Sequence, residues 1–262
     1  MINMKKNRSN SLSEFEYDLR CPKIDVHWHV GSWNMNEDRL GIRKMSEDFD
    51  RFGYRYAVVS SVRAILYDME IGNAETAQFI EQEHRCMGLV VINPRKEAAS
   101  LKEIEKYLGY PGFIGLKTAA DYYDTTLKDP GYRRILKIAN GHRWTILTHK
   151  QDLEFIAGEY VNITFITAHS MISDVKKLSE FSNVYFDIAA SYAHREETNI
   201  EGMVELAGAE RILFGTDAQV ISPAWSIGKV SSAKISQLDK NKIFYENAFN
   251  LFNQFKNNHF NH

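Results

Sequence analysis

The chain has 262 residues, 44% of them apolar and 25% charged, enough for one large domain with a substantial core. Lys plus Arg number 32 and Asp plus Glu 34, so the net charge of −2 gives no sign of a nucleic-acid or membrane partner. The two cysteines, Cys21 and Cys86, lie far apart and in no metal-binding spacing, which argues against a disulfide framework and a cysteine-built zinc site.

Residues 1–20 are polar and lack the apolar core of a secretory signal, so they read as a loosely ordered arm. No stretch reaches the ~20 apolar residues of a membrane-spanning helix. The expectation is a cytoplasmic protein with a small-molecule substrate, with a homodimer as its candidate assembly. The domain is expected over residues 21–257, followed by a short tail at 258–262.

In chain order, the predicted strands are Lys23–His29, Arg55–Val62, Met87–Asn93, Gly112–Thr118, Arg143–His149, Ile163–His169, Val184–Ala190 and Arg211–Asp217. Most are continuous apolar runs, as expected of parallel strands buried on both faces. Between them, apolar residues recur at helical spacing: Leu101, Ile104 and Leu108; Tyr132, Ile135, Leu136 and Ala139; Leu153, Ile156, Ala157 and Tyr160; Ile200, Met203, Val204 and Ala207. A last helix carries Phe244, Ala248, Leu251, Phe252 and Phe255. Eight strand–helix units predict an α/β fold, a single-domain (β/α)8 TIM barrel. An open doubly wound sheet binding a dinucleotide would need a glycine-rich turn after its first strand, and His27-Trp28-His29-Val30-Gly31 is no such turn.

Barrel chemistry is found at the C-terminal ends of the strands. Here those ends carry His27 and His29, Lys117, His149, His169 and Asp217. Residues two apart on a strand share a side, so His27 and His29 both face the barrel axis while Trp28 faces the helices. Asp25 has the same parity and is expected one layer lower; Asp187 is also placed to enter the barrel, and both read as partners that hold other side chains. An HxH pair alone is weak, because a chain with nine histidines shows one by chance in roughly a third of cases. The joint placement of His27, His29, His149, His169 and Asp217 is what points to a metal site. Imidazole and carboxylate together suit Zn²⁺ first, with Mn²⁺ or Fe²⁺ as alternatives. Arg63, Tyr122 and Tyr192 are candidate substrate-binding residues just past strand ends, with Trp33, Tyr123 and His194 as further candidates. Arg63 is the preferred clamp for an anion.

The segments KIDVHWHVG, GFIGLK, WTILTHK, ITFITAHS, NVYFDIAA, RILFGTD and KIFYENAFNLF resemble the amidohydrolase superfamily, specifically its amidohydrolase-2 branch, and span residues 22 to 255. The resemblance implies a distorted barrel with one or two divalent metals per chain. It aligns His27, His29, His149 and Asp217 with metal-ligand positions, and His169 with a position that binds a second metal or polarises substrate. It also makes Lys117 a candidate for a carboxylated, metal-bridging lysine; the plainer reading is an ammonium paired with a carboxylate or substrate anion. Lys150, the Ser170-Met171 turn and Ala218-Gln219 depart from the branch's usual residues and put the substrate in question more than the metal.

The expected reaction is attack of an activated water on the carbonyl of a lactone, amide or ester in a small anionic molecule. Asp217 serves as general base and then acid, and His169 or a second metal steadies the oxyanion. Relatives in the branch also decarboxylate or hydrate. The shortness of the chain favours hydrolysis, because decarboxylating relatives tend to carry insertions. A catalytically silent binding barrel is the remaining alternative.

Overall fold

Strand β1 (Lys23–Val30) is buried along its whole length, and so is β3 (Cys86–Ile92). Full burial is what a parallel strand meets between helices on one face and a packed interior on the other. The computed structural model describes residues 15–31, 42–150, 152–189, 199–218 and 221–252. The remaining strands are β2 (Tyr54–Ser61), β4 (Phe113–Thr118), β5 (Thr145–Thr148), β6 (Thr164–Thr167), β7 (Val184–Asp187) and β8 (Ile212–Leu213). All eight lie parallel and in sequence order. The sheet closes where β1 meets the segment after β8. There the amides of Val26 and His29 donate to the carbonyls of Phe214 and Ala218, at 3.0 and 3.1 Å, and the amide of Asp217 donates to the His27 carbonyl at 2.8 Å. The result is the single-domain (β/α)8 barrel expected from the sequence.

Tyr132, Ile135, Leu136 and Ala139 are the buried stripe of helix Pro130–His142, which starts on a proline and ends on a left-handed Arg143. Leu108 falls just past helix Glu97–Tyr107 and is exposed, so its helical spacing with Ile104 did not mark a buried face. Leu153, Ile156, Ala157 and Tyr160 are all buried, but only Leu153–Ile156 is helical. The closing segment runs through Gln237–Asn241, a π turn at Lys242–Glu246 and helix Asn247–Phe252. It braces the short β8: the Ile243 carbonyl accepts from the Phe214 backbone amide, and the Asn247 side-chain Nδ2 donates to the carbonyls of Ala209 and Ile212. Phe255 lies outside the described residues.

Two local departures from ideal strands set the site. The first is a register slip of β1 against β2 between Asp25 and Trp28. A slip of this kind breaks strict alternation. Ile24 and Val26 therefore join the interior apolar layer with Leu89, Leu147, Ile166 and Leu213. Asp25 does not take the inward place that parity assigned to it; its carboxylate receives the Thr216 hydroxyl at 2.6 Å. Past the slip the expected alternation holds, and the Trp28 ring packs 5.4 Å from Phe49 on helix Ile42–Phe52.

The second departure is at the C-terminal ends of β6 and β8. His169 and Asp217 have positive φ, 54° and 58°. Left-handed backbone cannot continue a strand, and it costs about 1–3 kcal/mol in a non-glycine residue. Both strands stop short of the predicted ends, at Thr167 and Leu213. Their functional candidates sit in the turns above.

Candidate metal centre

His27 is fully buried in the barrel mouth. Its Nδ1 lies 2.6 Å from Asp187 Oδ2, and its Nε2 is 3.0 Å from Lys117 Nζ and 3.7 Å from Asp217 Oδ1. His29 places Nε2 3.0 Å from Asp217 Oδ1, while its Nδ1 meets the Ser60 carbonyl at 3.3 Å. The His169 ring lies 4.9 Å from the His27 ring, and its Nδ1 donates to the Ala189 carbonyl at 3.1 Å. The His149 ring is 5.4 Å from that of His169, with Nδ1 2.6 Å from Asp121 Oδ1.

One feature is common to all four rings: Nδ1 faces an oxygen that accepts. A carbonyl or carboxylate there keeps the proton on Nδ1 and leaves the Nε2 lone pair for another partner. Ligand atoms of His27, His169 and Asp217 lie within 4.8 Å of one another, the one such group found among the described residues. The protonation states suit a cation. Burial lowers His27 well below the ordinary imidazole range and brings His169 to about 4. Burial also lowers His149, although Asp121 pulls the other way. Burial alone would raise Asp217, but the hydrogen bond and charge of His29 outweigh it and hold the carboxyl below its usual value. Neutral His27, His149 and His169 beside an ionised Asp217 are in the forms that ligate a divalent ion. The donor set therefore fits Zn²⁺, Mn²⁺ or Fe²⁺.

Lys117, almost fully buried, is brought by burial to about 8. Asp187 is pushed by burial up to about 7, although the Ala189 amide and Lys117 act against the rise. Arg63 stands on the rim with its side chain half exposed, 4.0 Å from Glu75, and is not part of the cluster. Tyr122 is half exposed with its ring 5.7 Å from His149, and the Tyr123 hydroxyl donates to the Ile65 carbonyl. Tyr192, Trp33 and His194 lie outside the described residues. The sequence reading did not single out Asp121, Ser60 or Ala189, which hold three of the four rings. Two of the three holding atoms are backbone carbonyls, which leave no mark on a sequence. Asp121 sits beside the nominated Tyr122 in the turn Ala120–Tyr123, with no spacing of its own to mark it.

The sequence profile of the family described as Amidohydrolase matches residues 24–254, nearly the whole chain. The chain belongs to the amidohydrolase family. No curated protein matches this amidohydrolase. Solved structures share its fold. A 2,6-dihydroxybenzoate decarboxylase from Rhizobium superposes with a TM-score of 0.70 at 13% identity, over 89% of this chain and 99% of the other. A dihydroxybenzoic acid decarboxylase from a Polaromonas species, with bound manganese and the inhibitor 2-nitroresorcinol, gives 0.73 at 14%, over 88% and 97%. A 5-carboxyvanillate decarboxylase from Sphingomonas paucimobilis gives 0.70 at 14%, over 90% and 99%. This amidohydrolase thus spans nearly the full length of the decarboxylases it resembles. No described helix is long and apolar enough to cross a membrane.

Proposed function

We propose that this amidohydrolase is a metal-dependent hydrolase acting on a lactone, amide or ester of a small anionic molecule. The observation that carries the reading is the set of four histidine rings, each tied through Nδ1, with Asp217 held ionised among them. His27, His29, His169 and Asp217 would hold one divalent ion, Zn²⁺ or Mn²⁺. Bound there, such an ion supplies Lewis-acid chemistry and makes water a competent nucleophile near neutral pH.

The chain's own groups divide the remaining work. Asp217 takes the proton of the attacking water on a carboxylate oxygen and returns it to the leaving group. His149, with its proton fixed on Nδ1 by Asp121, offers Nε2 as an acceptor that orients a water or substrate hydroxyl. Lys117 is a buried cation beside these acceptors and steadies negative charge on the substrate. Burial of His27 and Lys117 keeps bulk water from the innermost part of the site.

Decarboxylation is the second reading. It is favoured by the decarboxylase neighbours in fold and by Lys117, which can hold a carboxylate as readily as an oxyanion. The test is elemental mass spectrometry on protein purified without chelator or tag, followed by two assays on the loaded protein. One follows acid release from a panel of lactones and esters; the other follows CO₂ from hydroxylated aromatic acids. Acid release that is lost in Asp217→Asn supports hydrolysis. CO₂ alone moves the enzyme to the second reading, and absence of metal after incubation with Zn²⁺ and Mn²⁺ removes both.

A further inference from the structure

Lys23 opens β1 at the end of the barrel away from the histidine cluster, and none of its surface is exposed. Burying an ammonium is costly unless its protons find partners. Lys23 has no carboxylate partner among the described residues; Asp18, which acts on it at longer range, pairs with Lys240 at 3.8 Å. Its Nζ donates instead to the carbonyls of Cys21 and Phe52, at 2.9 and 3.0 Å, and to Cys21 Sγ at 3.5 Å. One lysine thus ties the end of helix Ile42–Phe52 to the start of the strand that carries His27 and His29.

The nitrogen–sulfur contact is local to the chain, because the two residues flank Pro22, whose ring fixes one of the backbone angles between them. Burial holds Lys23 below the usual lysine value, which brings the free amine within easier reach. Burial also holds the Cys21 thiol above its usual value, although the lysine beside it acts the other way. A surface cavity of about 540 Å³ gives access to this sulfur; it is lined by Glu16, Tyr17, Arg20, Cys21 and Pro22. An opening of that size admits a peroxide. The second free cysteine, Cys86, is buried with its Sγ 4.0 Å from the Met45 sulfur and does not line this cavity.

We propose that Cys21 and Lys23 are a modification site, at which a peroxide drives formation of a thiol-reversible sulfur–nitrogen bond, a sulfenamide. In the first step the Cys21 sulfur takes one peroxide oxygen as the O–O bond breaks, leaving a sulfenic acid and water. The sulfur gives up two electrons and the peroxide gains them. The raised thiol makes this step slow. In the second step the free amine of Lys23 attacks the sulfur. The S–N bond forms, the S–O bond breaks, and the hydroxide leaves with the amine proton as water. The product keeps one N–H where the ammonium had three, so one of the two carbonyls loses its donor and the join between helix and β1 loosens. Two equivalents of a thiol reverse it, returning the amine and the Cys21 thiol and leaving as a disulfide.

The experiment treats the full chain with hydrogen peroxide, blocks free thiols with iodoacetamide in denaturant, digests with trypsin and reads the peptides by mass spectrometry. Untreated protein is expected to be alkylated at Cys21 and cut after Lys23. Peroxide should suppress both together, leaving an uncut fragment that is about 2 Da lighter than its reduced form. Dithiothreitol before alkylation should restore both. Cys21→Ser should be cut after Lys23 with or without peroxide. Oxygen gained at Cys21 with normal cutting after Lys23 would make the cysteine a plain sulfur-oxide site and overturn the bond. So would a Cys21–Cys86 disulfide, a fragment with an oxygen between sulfur and nitrogen, or a Cys21 still alkylated at peroxide doses that oxidise the methionines.

Discussion

Asp187 holds the ring of His27 from across the barrel, with Oδ2 2.6 Å from Nδ1 at a sequence separation of 160. This contact fixes the proton on Nδ1 and makes Nε2 the better donor. Asp187→Asn keeps the shape and the Ala189 turn but removes the negative charge. Affinity for Zn²⁺ or Mn²⁺, measured by competition with a chromophoric chelator, should fall about 10–100-fold with the melting curve little changed. Wild-type affinity in this variant would show that the pair serves folding alone.

Lys117 Nζ donates to His27 Nε2 at 3.0 Å, the atom through which His27 would bind a metal. A proton on Lys117 and a metal on His27 therefore compete. Lys117 is brought by burial to about 8, so it is largely protonated at neutral pH. Wild-type metal affinity should weaken as pH falls through about 8, because the ammonium then repels the ion and occupies the lone pair. Lys117→Met should flatten this profile, keep one ion per chain and bind it no more weakly than wild type at pH 7. Two ions in wild type that fall to one or none in Lys117→Met would instead make Lys117 a carboxylated bridge.

The fold was legible because burial on both faces of a parallel strand leaves continuous apolar runs such as Met87–Ile92 and Ile212–Phe214, and eight strand segments alternate with helical patterns along the chain. His27 and His29 were legible from alternation, since they lie beyond the slip in β1. Asp25 was not, because the slip inverts parity below them and nothing in the residues announces it. Asp217 was placed at a strand end that the backbone does not have. Its left-handed φ is required to bring the carboxylate to His29, and that conformation is set by the turn, not by an apolar run. Asp187 was seen as a candidate holder, but its partner was not, because pairing across the barrel is tertiary.

Away from the site, Glu83 ends helix Met69–Gln82 and accepts two hydrogen bonds from the Arg85 guanidinium, at 2.9 and 3.0 Å, and one from Ser46. Burial acts to raise its carboxyl, but these bonds outweigh it and bring the value to about 2, against 4.5 for a free glutamate. A depressed carboxyl stabilises the folded state above its unfolded value, and that contribution fades as pH falls from about 4.5 towards about 2. Glu83→Gln should cost about 1–3 kcal/mol at pH 7 in urea melts. The gap to wild type should shrink steadily below pH 4.5. A gap independent of pH would mean that shape, not charge, matters at this position.

His169 keeps its left-handed backbone with help from Lys150. Lys150 Nζ donates to the His169 carbonyl at 3.0 Å and pairs with the Asp174 carboxylate, whose Oδ2 also accepts the Met171 amide at 2.8 Å. One lysine thus ties the turn after β6 to the start of helix Ile172–Leu178. A strained φ persists only where its surroundings over-determine it. Lys150→Met should let the His169 backbone relax and carry its ring away from His27 and Asp217. Metal affinity should drop about tenfold, in the range seen when a ligand loses its support. Asp174→Asn should do the same, and the double variant should be no weaker than either single one, because both act through one network. Additive losses would mean that the two residues act separately, and wild-type affinity in Lys150→Met would remove this lysine from the account of the site.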